Sequence, residues 1–178
     1  MVVKFYVAHI DRVLTDETPF DAWLSMLPLD DKCDVLAHKY RRDRERVLVS
    51  RLLQIAVIAA YTGVSAQDVC IVREPGAKPC AQSSTYIDYN VSHHGPWVVL
   101  ACATIPTAIV GVDIVSKKEP APLGFTPETW CRTEAYLKAL GLGLSGLGFM
   151  HVPPFGKKWQ EAMLYLDAEY MAIVVLGC

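Results

Sequence analysis

The stretch from Lys39 to Tyr61 constrains the fold most, because it has the pattern of one long helix. Its first turns are charged, and its later turns carry an apolar stripe at helical spacing. The stripe consists of Val47, Leu48, Leu52, Ile55, Ala56 and Ala59. Gly63 predicts the end of this helix, and the apolar stripe predicts that the helix packs on another element.

Runs rich in β-branched and aromatic residues predict strands on both sides of this helix. These strands are predicted at Val2–Ile10, Val69–Arg73, Tyr86–His93, Trp97–Thr104 and Ile109–Val115. The last three are separated only by Gly95-Pro96 and by a short link at Pro106. This spacing predicts an antiparallel meander.

A short helix is expected at Phe20–Leu27 in the first part of the chain. Further signals predict a second unit of the same kind, in which Thr126-Pro127 starts a helix that ends at Gly141. The tail Trp159–Leu176 predicts one or two strands that close a second sheet. The expected fold is therefore α+β, with two helix-plus-sheet lobes at residues 1–105 and 106–178.

Composition excludes several classes of function. A chain of 178 residues with 52% hydrophobic and 20% charged residues is neither disordered nor fibrous. Its net charge of -2 argues against a general nucleic-acid binder. The segment from His38 to Arg51 nevertheless carries six cations and only two acids, which suits a compact anionic ligand.

The sequence also predicts a cytoplasmic protein with reduced cysteines that does not enter a membrane. It starts without the pattern of a signal peptide, and its most apolar stretch, Leu52–Tyr61, is too short to span a bilayer. No two of its six cysteines have the spacing of a zinc site.

Asp113 is a carboxylate within an otherwise apolar strand, and such a charge must be paired or bound to metal if it is buried. The alternative is a strand-end residue that caps a turn. Glu134 and Lys138 lie four residues apart and therefore face the same side of one helix. They form either a solvated ion pair or the edge of a cleft.

Ser92 and His93 end a strand before Gly95, where hydroxyl and imidazole groups suit a phosphate but also an ordinary hairpin turn. Lys78 lies on a rigid turn, and Arg46 and Arg51 belong to the basic helix, whose charges are equally compatible with a solvated face. Together these groups suit a site for Mg2+ and pyrophosphate, since Mg2+ takes carboxylates and cations bind the phosphates.

Five motifs occur in the order known from one family, and through them the chain resembles the two-lobed 4′-phosphopantetheinyl transferases. They are Lys39–Arg46 with Arg51-Leu-Leu, Gly76-Ala-Lys78-Pro79, Tyr89–Gly95, Val110–Ile114 and Trp130–Gly143. The resemblance implies a pseudo-twofold fold that acts as a monomer. It also implies transfer of the phosphopantetheine arm of coenzyme A to a serine of an acyl or peptidyl carrier protein, with release of 3′,5′-ADP.

The resemblance also implies residue roles. Asp113 and Glu134 would hold Mg2+, Glu134 would act as the base, and Lys138 would neutralise or protonate the leaving phosphate. The remaining implied contacts to coenzyme A come from Ser92, His93, Lys78, Arg51 and Arg46, with Arg73 and Asn90 as weaker candidates.

The chain departs from the family pattern at three places. Val115 stands where many relatives carry a second carboxylate, so water is expected as the third metal ligand. Thr133 stands where a lysine is usual, and Arg132 is offset from that direction by about 100°. The stretch from Val115 to Trp130 is short. These departures leave two alternatives open: a coenzyme A-binding module without transfer activity, and a structural interaction domain.

Overall fold

The computed structural model describes residues 3–74, 76–149 and 158–178 and consists of helices and antiparallel sheets, which confirms the α+β fold class. The helices are α1 Ile10–Val13, α2 Phe20–Ser25, α3 Leu29–Ala37, α4 Arg41–Thr62 and α5 Pro127–Leu140. The strands are β1 Lys4–His9, β2 Cys70–Val72, β3 Cys80–Gln82, β4 Asp88–His94, β5 Trp97–Ala103, β6 Ile109–Ser116, β7 Trp159–Tyr165 and β8 Tyr170–Gly177.

The first sheet has the order β1-β5-β4, and α4 packs on one of its faces. Val57 and Ile58 of α4 are buried against Tyr89 and Leu100 of the sheet. Gly63 ends α4 in the left-handed conformation, as predicted. The structure also contains α3 and β3, which the sequence did not predict.

The second sheet has the order β6-β8-β7, and α5 covers one face of it. Thr126 caps α5 by accepting a hydrogen bond from Thr129 N, and Gly141 ends it, both as predicted. The tail forms β7 and β8, which confirms the predicted strands. The predicted loop over residues 141–156 contains a 3₁₀ segment at Leu144–Phe149, and residues 150–156 lie outside the described part.

The predicted meander is wrong at its third strand. β5 is the central strand of the first sheet, so β1 and β4 already occupy both of its edges. β6 therefore enters the second sheet and pairs with β8. β5 still packs against β6 and β8 through an apolar core that includes Val99, Ala101 and Val112.

Side chains of β4 join the two sheets at their neighbouring edges. The backbone N–H of Val110 donates to Asp88 Oδ2 at 2.6 Å, and that of Val112 donates to Asn90 Oδ1 at 2.9 Å. We call these contacts, together with the bond between Ser92 and Asp113 described below, the β4–β6 seam. The lobe boundary at residues 105 and 106 and the pseudo-twofold symmetry stay predictions.

Among the described residues, no helix is both long and apolar enough to cross a membrane.

Gly111 allows α5 to lie directly on β6. A Cβ atom at this position would overlap the carbonyl oxygen of Ala135 and the backbone nitrogen of Ala139. We expect Gly111→Ala to lower the free energy of unfolding by about 1–3 kcal/mol or more, because backbone rather than a flexible side chain must move. Thermal and urea unfolding measure this change.

Gly143→Ala is the control for that substitution, since a Cβ atom at Gly143 has nothing within 4 Å and only its positive φ is strained. It should cost about 1 kcal/mol. Equal melting temperatures of Gly111→Ala and the wild type would contradict the close packing of α5 on β6.

Candidate active site

Asp113 lies at the centre of a polar cluster formed by β4, β6 and α5. Its carboxylate is 3% exposed. Oδ1 accepts hydrogen bonds from Ser92 Oγ at 3.0 Å and from Lys138 Nζ at 2.5 Å. Lys138 Nζ also contacts Ser92 Oγ at 3.1 Å. The structure thus brings together three of the predicted site residues, and Asp113 is paired as a buried carboxylate must be.

The second oxygen of Asp113 is the unusual feature of this cluster. Oδ2 is buried and accepts no hydrogen bond, which is costly for a charged oxygen. Glu134 faces the same cluster from α5, and burial followed by the negative charge of Asp113 raises its pKa to about 7. Two carboxylates that repel each other, one with an unpartnered oxygen, fit the donor set of a divalent cation.

Only these two carboxylates contribute to such a site. Within residues 3–74, 76–149 and 158–178, no cluster of three or more His, Cys, Asp and Glu side chains suits a metal ion. Val115 faces α5 from the same side of β6 as Asp113, but it is buried against Cys131 and Ala135. The position of the second family carboxylate is therefore apolar in this chain.

Thr133 and its neighbour Arg132 have partners outside the Asp113 cluster. Thr133 is buried and donates its hydroxyl to Thr129 O at 2.9 Å. Arg132 pairs with Glu128 at 2.8 Å and with Glu161 at 2.9 Å. Arg132 therefore does not stand in for the lysine that is usual beside Glu134.

Lys78 forms an internal ion pair. Nζ contacts Asp88 Oδ2 at 2.5 Å and donates to Val110 O at 2.7 Å, so the turn between β2 and β3 is fixed to the β4–β6 seam. Burial lowers the pKa of Lys78, although Asp88 counteracts this shift. Its predicted contact with a phosphate of coenzyme A stays a prediction.

Arg51 lies in an ion-pair cluster between α3 and α4. It contacts Asp31 at 3.2 Å and Asp34 at 2.5 Å, and Arg73 approaches the same Asp31 carboxylate at 3.1 Å. Asn90 belongs to the seam through Val112 N. The predicted phosphate contacts of these residues stay predictions.

Arg46 and His93 line an open cavity of about 540 Å³ beside the polar cluster of Asp113. Arg46 is held by Asp43 and by the carbonyl oxygen of Gly95. His93 is accessible to solvent at this cavity, although the surrounding protein removes part of the hydration of its ring. Desolvation, together with the positive charges of Lys138 and Arg46, lowers the pKa of His93 to about 4. An anion bound here would offset that positive field and favour the protonated ring.

A second cavity of about 330 Å³ lies beside Glu134. Pro120, Pro122 and Trp130 line it from the linker and α5. His94 and Glu119 line both cavities, and Nε2 of His94 lies 3.3 Å from Oε2 of Glu119. Sequence reasoning missed this pair because Glu119 lies in a part of the linker outside any helix or strand. The prolines of the linker were the one sequence signal that its backbone is restricted in conformation.

The site therefore combines a cavity lined by Arg46 and three histidines, a carboxylate pair suited to a cation, and a lysine in contact with Asp113. These parts suit chemistry on a phosphate ester, where charge neutralisation and positioning matter most.

Comparison with known proteins identifies the family. The family described as "4'-phosphopantetheinyl transferase, N-terminal" matches residues 15–105, just over half of the 178-residue chain. The chain therefore belongs to the 4′-phosphopantetheinyl transferases, as its motifs predicted. The match ends before β6, so Asp113, Glu134 and Lys138 lie beyond it.

Individual relatives agree with this assignment. A phosphopantetheinyl transferase of Thraustochytrium sp. is 28% identical over 156 residues, covering 80% of this chain and 52% of the relative. The 4'-phosphopantetheinyl transferase ffp of Bacillus subtilis is 29% identical over 134 residues, covering 74% of this chain and 57% of the relative. The chain thus spans about half the length of the curated relatives it matches.

The raised pKa of Glu134 predicts a pH-dependent stability in the absence of metal. Because folding raises this pKa from 4.5 to about 7, the carboxyl group stabilises the folded state below pH 4.5 and loses that contribution as the pH rises through 7. Glu134→Gln removes the titration. In EDTA at pH 8, the free energy of unfolding of this variant should exceed that of the wild type by about 1–3 kcal/mol, and its melting temperature should be higher. At pH 5 the two proteins should have nearly the same stability.

Glu128→Gln, an exposed change on the same helix, serves as the control and should show no such crossover between pH 5 and pH 8. Parallel melting curves of Glu134→Gln and the wild type across this range would contradict the repulsion between Glu134 and Asp113.

Proposed function

We propose that this protein transfers the 4′-phosphopantetheine arm of coenzyme A to a serine of an acyl or peptidyl carrier protein. The reaction depends on Mg2+ and releases 3′,5′-ADP. The observation that carries the proposal is the buried, unpartnered Oδ2 of Asp113 beside Glu134 and Lys138, in a chain that belongs to the transferase family.

Asp113 and Glu134 hold the metal in this proposal. Among the described residues, the unpartnered oxygen of Asp113 and the carboxyl of Glu134 would be the donors to the metal. When bound, Mg2+ supplies positive charge that neutralises the pyrophosphate of coenzyme A and stabilises the departing phosphate. With Val115 in place of a further carboxylate, a water would be the third ligand that the family resemblance implies.

Glu134 accepts the proton of the carrier serine, directly or through a water. Without a cation, burial and the charge of Asp113 raise the pKa of this carboxyl group to about 7. A cation held beside it would lower that pKa and keep the carboxylate ionised at neutral pH, as a general base requires. The serine oxygen then forms a bond to the phosphorus that bears the pantetheine arm, and the bond from that phosphorus to the oxygen of 3′,5′-ADP breaks.

Lys138 neutralises or protonates the leaving phosphate. Its ammonium group already contacts both Asp113 and Ser92, one helical turn from Glu134, so base and acid can flank the reacting phosphorus. Ser92 and His93 contact phosphate groups of coenzyme A from the end of β4.

Arg46 and His93 bind the anionic nucleotide end in the cavity that they line. Lys78 and Arg51 support this binding through their positive charge. For direct contact with a phosphate, Lys78 would have to break its ion pair with Asp88, and Arg51 those with Asp31 and Asp34. We assign residues 1–105 and 106–178 to two pseudo-twofold lobes that act together as a cytoplasmic monomer. The separate sheets and their helices support this division.

Intact mass spectrometry of an apo acyl carrier protein tests the reaction. Incubation with this protein, coenzyme A and Mg2+ should add the mass of one phosphopantetheine arm, and EDTA should abolish the gain. Asp113→Asn, Glu134→Gln and Lys138→Gln should each lower the rate by about 100-fold or more, because each removes charge stabilisation from the transition state.

Glu128→Gln should keep wild-type activity, since its side chain faces Arg132 rather than Asp113. Melting curves establish that each variant is folded. Full activity of all three site variants would exclude this cluster as the active site.

A coenzyme A-binding module without transfer activity is the second candidate. The buried Thr133 and Val115, which replace charged groups of the family pattern, favour it. Binding of coenzyme A without a mass gain on several carrier proteins would support this module. Absence of coenzyme A binding would leave a structural interaction domain.

A further inference from the structure

His94 and Glu119 form a bridge at the junction of the two cavities. His94 ends β4, and Glu119 belongs to the linker that follows β6. Their side chains approach to 3.3 Å, with 33% of the His94 side chain and 60% of the Glu119 side chain exposed. Both residues line both cavities, so a ligand that extends from one cavity to the other must pass this bridge.

Tyr170 holds the bridge in place. Its ring lies 5.5 Å from the His94 ring, centroid to centroid. Gly95 lets the Tyr170 ring lie against the end of β4, because a Cβ atom at Gly95 would overlap that ring. Burial, followed by the charges of Glu169 and Glu119, raises the pKa of Tyr170, which agrees with Glu119 facing it. The His94 side of the bridge therefore packs against Tyr170 at the start of β8.

The two cavities differ in the cationic groups that they offer, and the arginine of the larger cavity, Arg46, is paired with Asp43. The cavity of about 540 Å³ is lined by Arg46, His38 and His93 as well as Asp43. The cavity of about 330 Å³ has no Lys or Arg among its described lining residues. Apart from the bridge, its charged lining group is Glu134, and the rest are small, apolar or aromatic.

We propose that Glu119, positioned by His94, is a specificity determinant for the ligand. Its carboxylate repels anionic groups from the junction of the two cavities, so that the anionic groups of a bound nucleotide lie toward Arg46 and do not cross into the smaller cavity. The cavity beside Glu134 is thereby reserved for an uncharged part of the ligand or for a cation. Like charges brought close in a partly desolvated cleft repel, so removal of this carboxylate should strengthen the binding of anions. The inference deepens the proposed function and rests on it for the identity of the ligand.

Isothermal titration with 3′,5′-ADP, coenzyme A and inorganic pyrophosphate, each in EDTA and in Mg2+, tests the proposal. In EDTA, Glu119→Gln should bind these anions about three- to ten-fold more tightly than the wild type. Glu17→Gln, an exposed loop residue with the same change in charge, is the matched control and should leave the affinities unchanged.

A double-mutant cycle tests the positioning role of His94. When His94→Gln frees the carboxylate to turn away, the gain from Glu119→Gln should shrink by at least about half. A role of His94 in folding alone would lower the melting temperature and leave that gain intact.

Three outcomes overturn the inference. The first is an affinity of Glu119→Gln equal to that of Glu17→Gln. The second is a loss of affinity in Glu119→Gln that requires Mg2+, which would assign Glu119 to the metal instead. The third is failure of every anion to bind. Failure of coenzyme A alone, with the pyrophosphate series as expected, contradicts the proposed function and supports the role of Glu119.

Discussion

The β4–β6 seam is the interaction on which the candidate site depends. Each sheet presents an edge strand to the other, and unpaired edge groups invite unwanted association. Side chains of Asp88 and Asn90 take the place of a backbone ladder by accepting the N–H groups of Val110 and Val112. Ser92 is the next residue on the same face of β4, and its hydroxyl donates to Asp113 on β6. The polar cluster is therefore a continuation of the seam.

The electrostatics of the cluster follow from what the seam buries. Asp113 is fully enclosed, and one oxygen is satisfied by Ser92 and Lys138 while the other has no partner. Its charge then acts on Glu134 and raises the pKa of that carboxyl group. This arrangement is unfavourable without a cation, and a cluster that gives up stability in this way is common at functional sites.

Local patterns predicted the elements but not their neighbours. The apolar stripe of α4 and the cap signals of α5 were sufficient, because helix ends are set by nearby residues. The pairing of β6 was mispredicted because the edge beside β5 is taken by β1, which is distant in the chain and pairs through contacts such as Lys4 with Cys102. The helix α3 was missed because only Val35 of its residues is a fully buried apolar side chain.

The candidate site shows the same division. Asp113, Glu134 and Lys138 stood out because charged groups in apolar or same-face positions need an explanation. The internal partners of Lys78 and Arg51 did not stand out, because Asp88 and Asp31 carry no local signal of burial. The bridge of His94 and Glu119 depends on the path of an irregular linker, which local patterns do not define.

The seam also makes the site sensitive to strand register. Its contacts use positions 88, 90 and 92, which alternate along β4, so a slip by one residue would turn all three side chains to the opposite face. An insertion or deletion in β4 would therefore dismantle the seam and the polar cluster in a single step. The linker after β6 lies outside the seam, so a change in its length would leave the contacts among Ser92, Asp113 and Lys138 in place.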